Sequence, residues 1–125
     1  MVGHGSLDLV LIPGFPSNLE ILWEDPDFRR LVKRLSAFSR LILVDQRGSG
    51  LSDGIDPGAL PDGRARLDDL CAVMDAVGCG RAAIFGASDA AAQALSLAAT
   101  FPARARAVVL FGGYASFLDA AVDAK

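Results

Sequence analysis

Four short apolar runs punctuate the chain: LDLVLIPG (7–14), RLILVD (40–45), AAIFG (82–86) and ARAVVLFGG (105–113). Each is too short and too continuously apolar for an amphipathic helix, and reads as a strand buried on both faces. Between them the period changes to that of a helix. In DPDFRRLVKRLSAF (25–38), Phe28, Leu31, Val32, Leu35 and Phe38 make one apolar face. Asp25 is placed to cap that helix and Pro26 suits its first position. A second helical face runs through Leu67, Leu70, Cys71, Met74 and Val77, with Gly78 as its stop. The alanine-rich stretch DAAAQALSLAATF (89–101) predicts a third helix, stopped by Pro102. FPSNLEILWE (15–24) carries turn residues and one Trp, and QRGSGLSDGIDPGALPDG (46–63) is dense in Gly, Pro and Asp and predicts loop. The tail from Tyr114 has the makings of a further helix. Strand and helix thus alternate, which predicts an α/β domain: a mostly parallel sheet of about four strands with helices on both faces. No repeat, linker or composition break divides residues 1–125.

Composition narrows what such a domain binds. Hydrophobic residues make up 52% and charged residues 22%, enough apolar side chains for a packed core. The formal net charge is −3 and the basic residues form no stripe, which argues against a nucleic-acid partner. Arg29, Arg30, Lys33 and Arg34 read as the solvated face of the first helix. No apolar run approaches the length of a membrane span, and the N-terminus shows no secretory signal, so a cytoplasmic location is expected. Cys71 and Cys79 are too few for a disulfide framework and have no histidines near them for a zinc site. Cys71 falls on an apolar helix face and is expected in the core. No metal or cofactor motif is present.

In sheets of this kind ligands gather at the carboxyl ends of the strands. Three strand ends carry distinctive loops: Pro13-Gly14-Phe15-Pro16, Asp45-Gln46-Arg47-Gly48 and Gly86-Ala87-Ser88-Asp89-Ala90. The third raises two readings. Ser88 is a nucleophile on a strand-to-helix elbow, with small residues Gly86 and Ala90 two positions to either side so that strand and helix can approach. The other is that Ser88 merely caps the helix that follows. The elbow reading also places Ser88 at a helix N-terminus, whose dipole favours developing negative charge. The GSGLSDG stretch is no dinucleotide fingerprint, because the residues after Gly50 cannot open a helix.

The strings running from DLVLIPGFPSN to RLILVDQRGSGLSD and the stretch AAIFGASDAAAQALSLAATFPARARAVVLFGG resemble the α/β-hydrolase superfamily. The narrower resemblance is to the α/β-hydrolase domains found fused to adenylate/guanylate cyclases. The superfamily resemblance rests above all on the D-x-R-G-x-G-x-S spacing from Asp45 to Ser52 together with the elbow. It implies that Ser88 is the nucleophile. The backbone N–H groups of Phe15 and Asp89 would then form the oxyanion hole, with Gly14 supporting the loop. The Asp89 carboxylate would compete with an oxyanion there. Asp45 and Arg47 are read as structural, a charged, hydrogen-bonded pair bracing the region behind the site.

The triad of such an enzyme runs Ser, acid, His. The one histidine, His4, precedes the first strand and is expected to be a solvated loop residue at the wrong end of it. Asp119 and Asp123 follow the fourth strand without a supporting motif. The resemblance therefore implies a partial hydrolase domain cut at both ends, lacking the triad acid and base and nearly inactive alone. The activity implied is ester- or amide-type acyl hydrolysis of a small-molecule substrate, without cofactor. The alternative is a non-catalytic module that senses an apolar ligand for a fused signalling domain such as a nucleotide cyclase. The remainder of the hydrolase domain is a further expected partner.

Overall fold

The computed structural model describes residues 1–56, 58 and 61–114. The expected tail helix, and with it Asp119 and Asp123, lies outside the described residues. The chain runs β1 (Leu7–Ile12), α1 (Leu19–Leu22), α2 (Pro26–Ser36), β2 (Ser39–Leu43), α3 (Gly63–Ala76), β3 (Ala82–Ala87), α4 (Ala90–Thr100) and β4 (Ala105–Phe111). The strands form one sheet in the order β2-β1-β3-β4, and every neighbouring pair is parallel.

Alternation along the strands assigns the two faces of the sheet. Val10, Ile12, Ile42 and Ile84 point to one face, where they meet Leu67, Leu70 and Met74 of α3 and Ala90, Ala94 and Leu97 of α4. Leu9, Leu11, Leu41 and Ala83 point to the other, where Val32 of α2 is buried and Phe28 and Leu35 pack beside it. Helices therefore cover both faces, as the strand–helix alternation predicts.

Local chemistry sets the helix ends. The Asp25 side chain accepts from Asp27 N–H at 2.8 Å and Pro26 opens α2. Asp62 caps α3 by accepting from Ala65 N–H at 2.7 Å, and α3 stops before Gly78, whose φ is +65°. The amphipathic pattern over 25–38 overreaches in two places: Leu31 and Phe38 are 38% and 55% exposed. Phe38 lies beyond the end of α2, where the helical repeat no longer aims it at the sheet.

α1 was not apparent from the turn-like composition of 15–24. Its cap is Asn18, whose side chain accepts from Glu20 N–H at 3.0 Å and Ile21 N–H at 3.3 Å. Cys71 is half-buried against the core, while Cys79 is fully buried. Ahead of β1, Val2 makes an isolated antiparallel bridge to Leu41 of β2.

The order of strands places a functional crevice. From β1 the chain crosses to β2 with α2 on one face, then returns over β1 to β3 with α3 on the other. The connections leave β1 and β3 in opposite directions, and the gap above their carboxyl ends is where such sheets bind ligands.

Candidate functional site

Both strands that flank the crevice end in the loops singled out by the sequence. β3 ends at Ala87 and α4 begins at Ala90, so only Ser88 and Asp89 make the turn between them. Among the described residues Ser88 is the one non-glycine residue with positive φ, at 54°. A left-handed serine lifts its side chain off the end of the strand instead of continuing it, at a cost that functional turns characteristically carry. Backbone bonds fix the turn. Ser88 N–H donates to Phe111 C=O of β4 at 2.9 Å, and Ser88 C=O accepts from Ala91 N–H at 3.1 Å.

Ser88 is exposed, and its hydroxyl has no hydrogen-bond partner among the described residues. The helix-cap reading of Ser88 therefore fails on geometry. The N-cap position of α4 belongs to Asp89, in helical conformation and without a side-chain cap bond.

The small residues around the turn are there for space. At Gly86 any side chain would run into the backbone of Ala90 and Ala91. Ala90 is buried in the core formed by α3, α4 and the sheet. Gly14 faces the elbow from the loop after β1: a Cβ there would lie 2.6 Å from Ser88 Cβ and 3.0 Å from Ala87 O. The Pro-Gly turn and the serine turn thus meet at one rim of the sheet, with the serine side chain beside the backbone that carries Phe15.

Phe15, 70% exposed, has its N–H next to this point, joined to Pro16 by a cis peptide bond. That N–H already has an acceptor: it donates to Asp89 Oδ1 at 2.7 Å. The expected competition between the Asp89 carboxylate and an oxyanion takes the concrete form of an occupied donor.

Asp45 and Arg47 both brace the loops, but not as a pair with each other. Asp45 reaches across to the β1 loop, where both of its carboxylate oxygens lie 3.2 Å from Leu19 N–H and Ser17 Oγ donates to it at 3.3 Å. Ser49 Oγ lies 3.0 Å from Ser17 Oγ and donates to Ser17 C=O at the same distance. Ser52 Oγ donates to the Asp45 carbonyl at 2.6 Å. Ser49 in the Asp45–Ser52 motif thus ties the second loop to the first, while Ser52 closes the second loop on itself. Arg47 turns the other way and makes a bidentate ion pair with Asp69 of α3. The orphan N–H at the start of α1 takes the Asp45 carboxylate in place of the arginine two residues away, whose planar fork finds a better-aligned carboxylate on a helix.

Two clefts open on the α3–α4 side of this rim. The larger, about 420 Å³, is lined by Ile12, Val44, Leu51 and Leu70 with Arg47 and Asp69 at its edge. The smaller, about 300 Å³, reaches Asp89 and is lined by Gln46, Arg66, Leu67 and Gln93. Ser88 lines neither, being on the open rim above them. Arg66, which no motif singles out, donates from its guanidinium to Gln46 Oε1 at 2.9 Å.

The opposite rim holds different chemistry. His4 is exposed there, ahead of the amino end of β1, and cannot reach Ser88 at the carboxyl end. Asp8 and Arg40, register partners on β1 and β2, form a two-pronged pair at 2.6 Å. The hydrogen bonds from Arg40 hold the Asp8 carboxyl below its ordinary value, against the opposing pull of burial. Burial pushes the neighbouring Cys79 thiol up to about 11. No group of His, Cys, Asp and Glu among the described residues is placed to hold a metal ion. None of their helices is long and apolar enough to cross a membrane.

A parallel sheet with this strand order, a left-handed serine between a strand and a helix, and a Pro-Gly loop against it define an α/β-hydrolase architecture. The family model for the alpha/beta hydrolase fold matches residues 9–124, and the chain belongs to that family. Its sequence is 41% identical over 75 residues to a 2-hydroxy-6-oxononadienedioate/2-hydroxy-6-oxononatrienedioate hydrolase of Burkholderia vietnamiensis (strain G4 / LMG 22486). That match spans 59% of this chain and 25% of the relative. Among solved structures, it resembles the meta-cleavage product hydrolase (CumD) of Pseudomonas fluorescens IP01, with TM-score 0.76 and 25% identity. That comparison covers 90% of this chain and 39% of the other. It also resembles E-2-(acetamidomethylene)succinate hydrolase, with TM-score 0.70 and 32% identity over 86% of this chain and 37% of the other. The chain thus spans well under half the length of the hydrolases it matches.

Proposed function

We propose that this chain carries the nucleophile half of a serine hydrolase site. Ser88 would attack the carbonyl carbon of an ester- or amide-type substrate. Its oxygen forms the new bond, the alcohol or amine leaves, and water then releases the acyl group. The observation that supports this most is the left-handed Ser88, exposed and with its hydroxyl unpartnered among the described residues, against Gly14. The N–H groups of Phe15 and Asp89 are the donors for the oxyanion. The relatives named above are hydrolases, in keeping with this reading. The one histidine of the sequence, His4, lies at the opposite rim, so the chain alone is expected to turn over small esters barely at all. It would work in the cytoplasm, completed by the remainder of a hydrolase domain.

A fluorophosphonate probe tests the reading. Ser88 Oγ displaces fluoride from phosphorus, and added imidazole accepts the proton. The expected result is imidazole-accelerated labelling of the folded chain at Ser88, absent from Ser88→Ala. Labelling that is equal in Ser88→Ala, or absent from a folded chain, would overturn it.

A second reading has one observation in its favour. Because Phe15 N–H is already bound by Asp89, the scaffold also suits a module that senses an apolar ligand for an attached signalling domain without turning it over. A folded chain that excludes the phosphonate yet binds a small apolar ester would favour it.

A further inference from the structure

Asp89 is the residue after the nucleophile, and its backbone N–H belongs to the proposed oxyanion hole while its side chain fills part of that hole. Oδ1 accepts from Phe15 N–H at 2.7 Å, a short, charge-assisted bond. The same oxygen lies 3.1 Å from where a Cβ on Gly14 would be, and Ser88 Cβ lies 2.6 Å from that same point. Carboxylate, Phe15 N–H and serine side chain therefore crowd one spot. Asp89 makes no cap bond to its own helix, so capping α4 does not explain the side chain's position.

We infer that Asp89 is a specificity-determining residue of this rim: its carboxylate is a built-in anion on the Phe15 N–H, so that the site admits neutral carbonyl ligands and turns away carboxylates. The inference rests on the reading of Ser88 and Phe15 given above. A neutral ester or amide carbonyl competes for the N–H without charge repulsion. A carboxylate must both displace Asp89 and approach its negative charge, and like charges at contact distance repel even where water reaches them.

The displaced side chain has a place to go. Asp89 also borders the 300 Å³ cleft lined by Gln46, Arg66 and Gln93. Arg66 there has Gln46 as its hydrogen-bond acceptor, and no carboxylate pairs with it among the described residues. A carboxylate rotated away from Phe15 moves toward a guanidinium with donors to spare.

Acetate serves as the minimal carboxylate probe. It is titrated at constant ionic strength into the ¹⁵N-labelled chain, with the Phe15 amide resonance as the readout. The wild-type Phe15 signal is expected to stay put. In Asp89→Ala, which vacates the position, acetate is expected to shift it with an affinity about ten-fold or more above wild type. Asp89→Asn keeps the shape, removes the charge and is expected to fall between them, so it decides the matter should the alanine variant fail to fold. Methyl acetate, the neutral counterpart, is expected to separate the variants far less. Equal acetate response in wild type and variants, or none in either variant, overturns the inference. Neither outcome depends on Ser88 reacting, so the inference and the hydrolase reading fail separately: phosphonate labelling with no acetate difference sinks only the former.

Discussion

A serine held at φ 54° costs about 1 kcal/mol or more that glycine in the same place would not. Ser88→Gly is accordingly expected to raise the stability of the chain by about 1 kcal/mol in a urea melt while abolishing phosphonate labelling. A fall in stability would show that the turn is not strained. Gly14→Ala is expected to lower stability instead. Its methyl would meet Ser88 Cβ at 2.6 Å, so the loop must back away from the elbow and carry the Phe15 N–H with it. Labelling at Ser88 should drop, by about ten-fold or more for a displacement near 1 Å. At this scale much of the site was legible. Gly86, Ser88 and Ala90 announce an elbow because only small residues fit its flanks, and Gly14 follows from the need for close approach. The partners of Asp45, Arg47 and Asp89 were not legible. Which donor a carboxylate finds depends on distances across loops tens of residues apart, and sequence spacing carries no such information. The motif showed that Asp45 braces something, and the fold supplies the object, the first turn of α1.

The elements owe their ends to local side-chain chemistry and their placement to the alternating faces of the sheet. Asp25→Ala removes the acceptor for Asp27 N–H and is expected to cost about 1 kcal/mol, read from the urea midpoint. The Asp8–Arg40 pair between β1 and β2 makes a pH-dependent prediction. Arg40 holds the native Asp8 carboxyl below its ordinary value of 3.8. Its contribution is therefore full above that value and fades as pH falls through the lowered native one. Asp8→Asn should melt earlier than the parent at pH 7, and the gap should close in melts taken progressively below 3.8. A gap unchanged by acid would assign the effect to packing. Strands and long helices could be read in advance because their apolar periods differ plainly. α1 could not: four residues show no period, and its one sign was an Asn placed ahead of Leu-Glu. Leu31 shows the complementary limit, since periodicity reports an apolar face and not how much of that face the sheet covers.

At the scale of the molecule the sheet is lopsided. β2, β1 and β3 are covered on both faces, whereas Val109, Leu110 and Phe111 of β4 are 47%, 46% and 70% exposed. An apolar parallel edge strand of this kind invites pairing with another chain. Light scattering of the concentrated chain is expected to fall in Val109→Lys, with the melting midpoint little changed. Unchanged scattering would mean that this edge is not what associates. The strand itself was legible in the sequence as a continuous apolar run. The sheet order has a further consequence for biosynthesis. β1 ends at Ile12, yet its neighbour on one side, β3, begins at Ala82. At translation rates of roughly 5–20 residues per second, the nascent polypeptide keeps that flank of its central strand unpaired for several seconds, long enough for a chaperone to engage it.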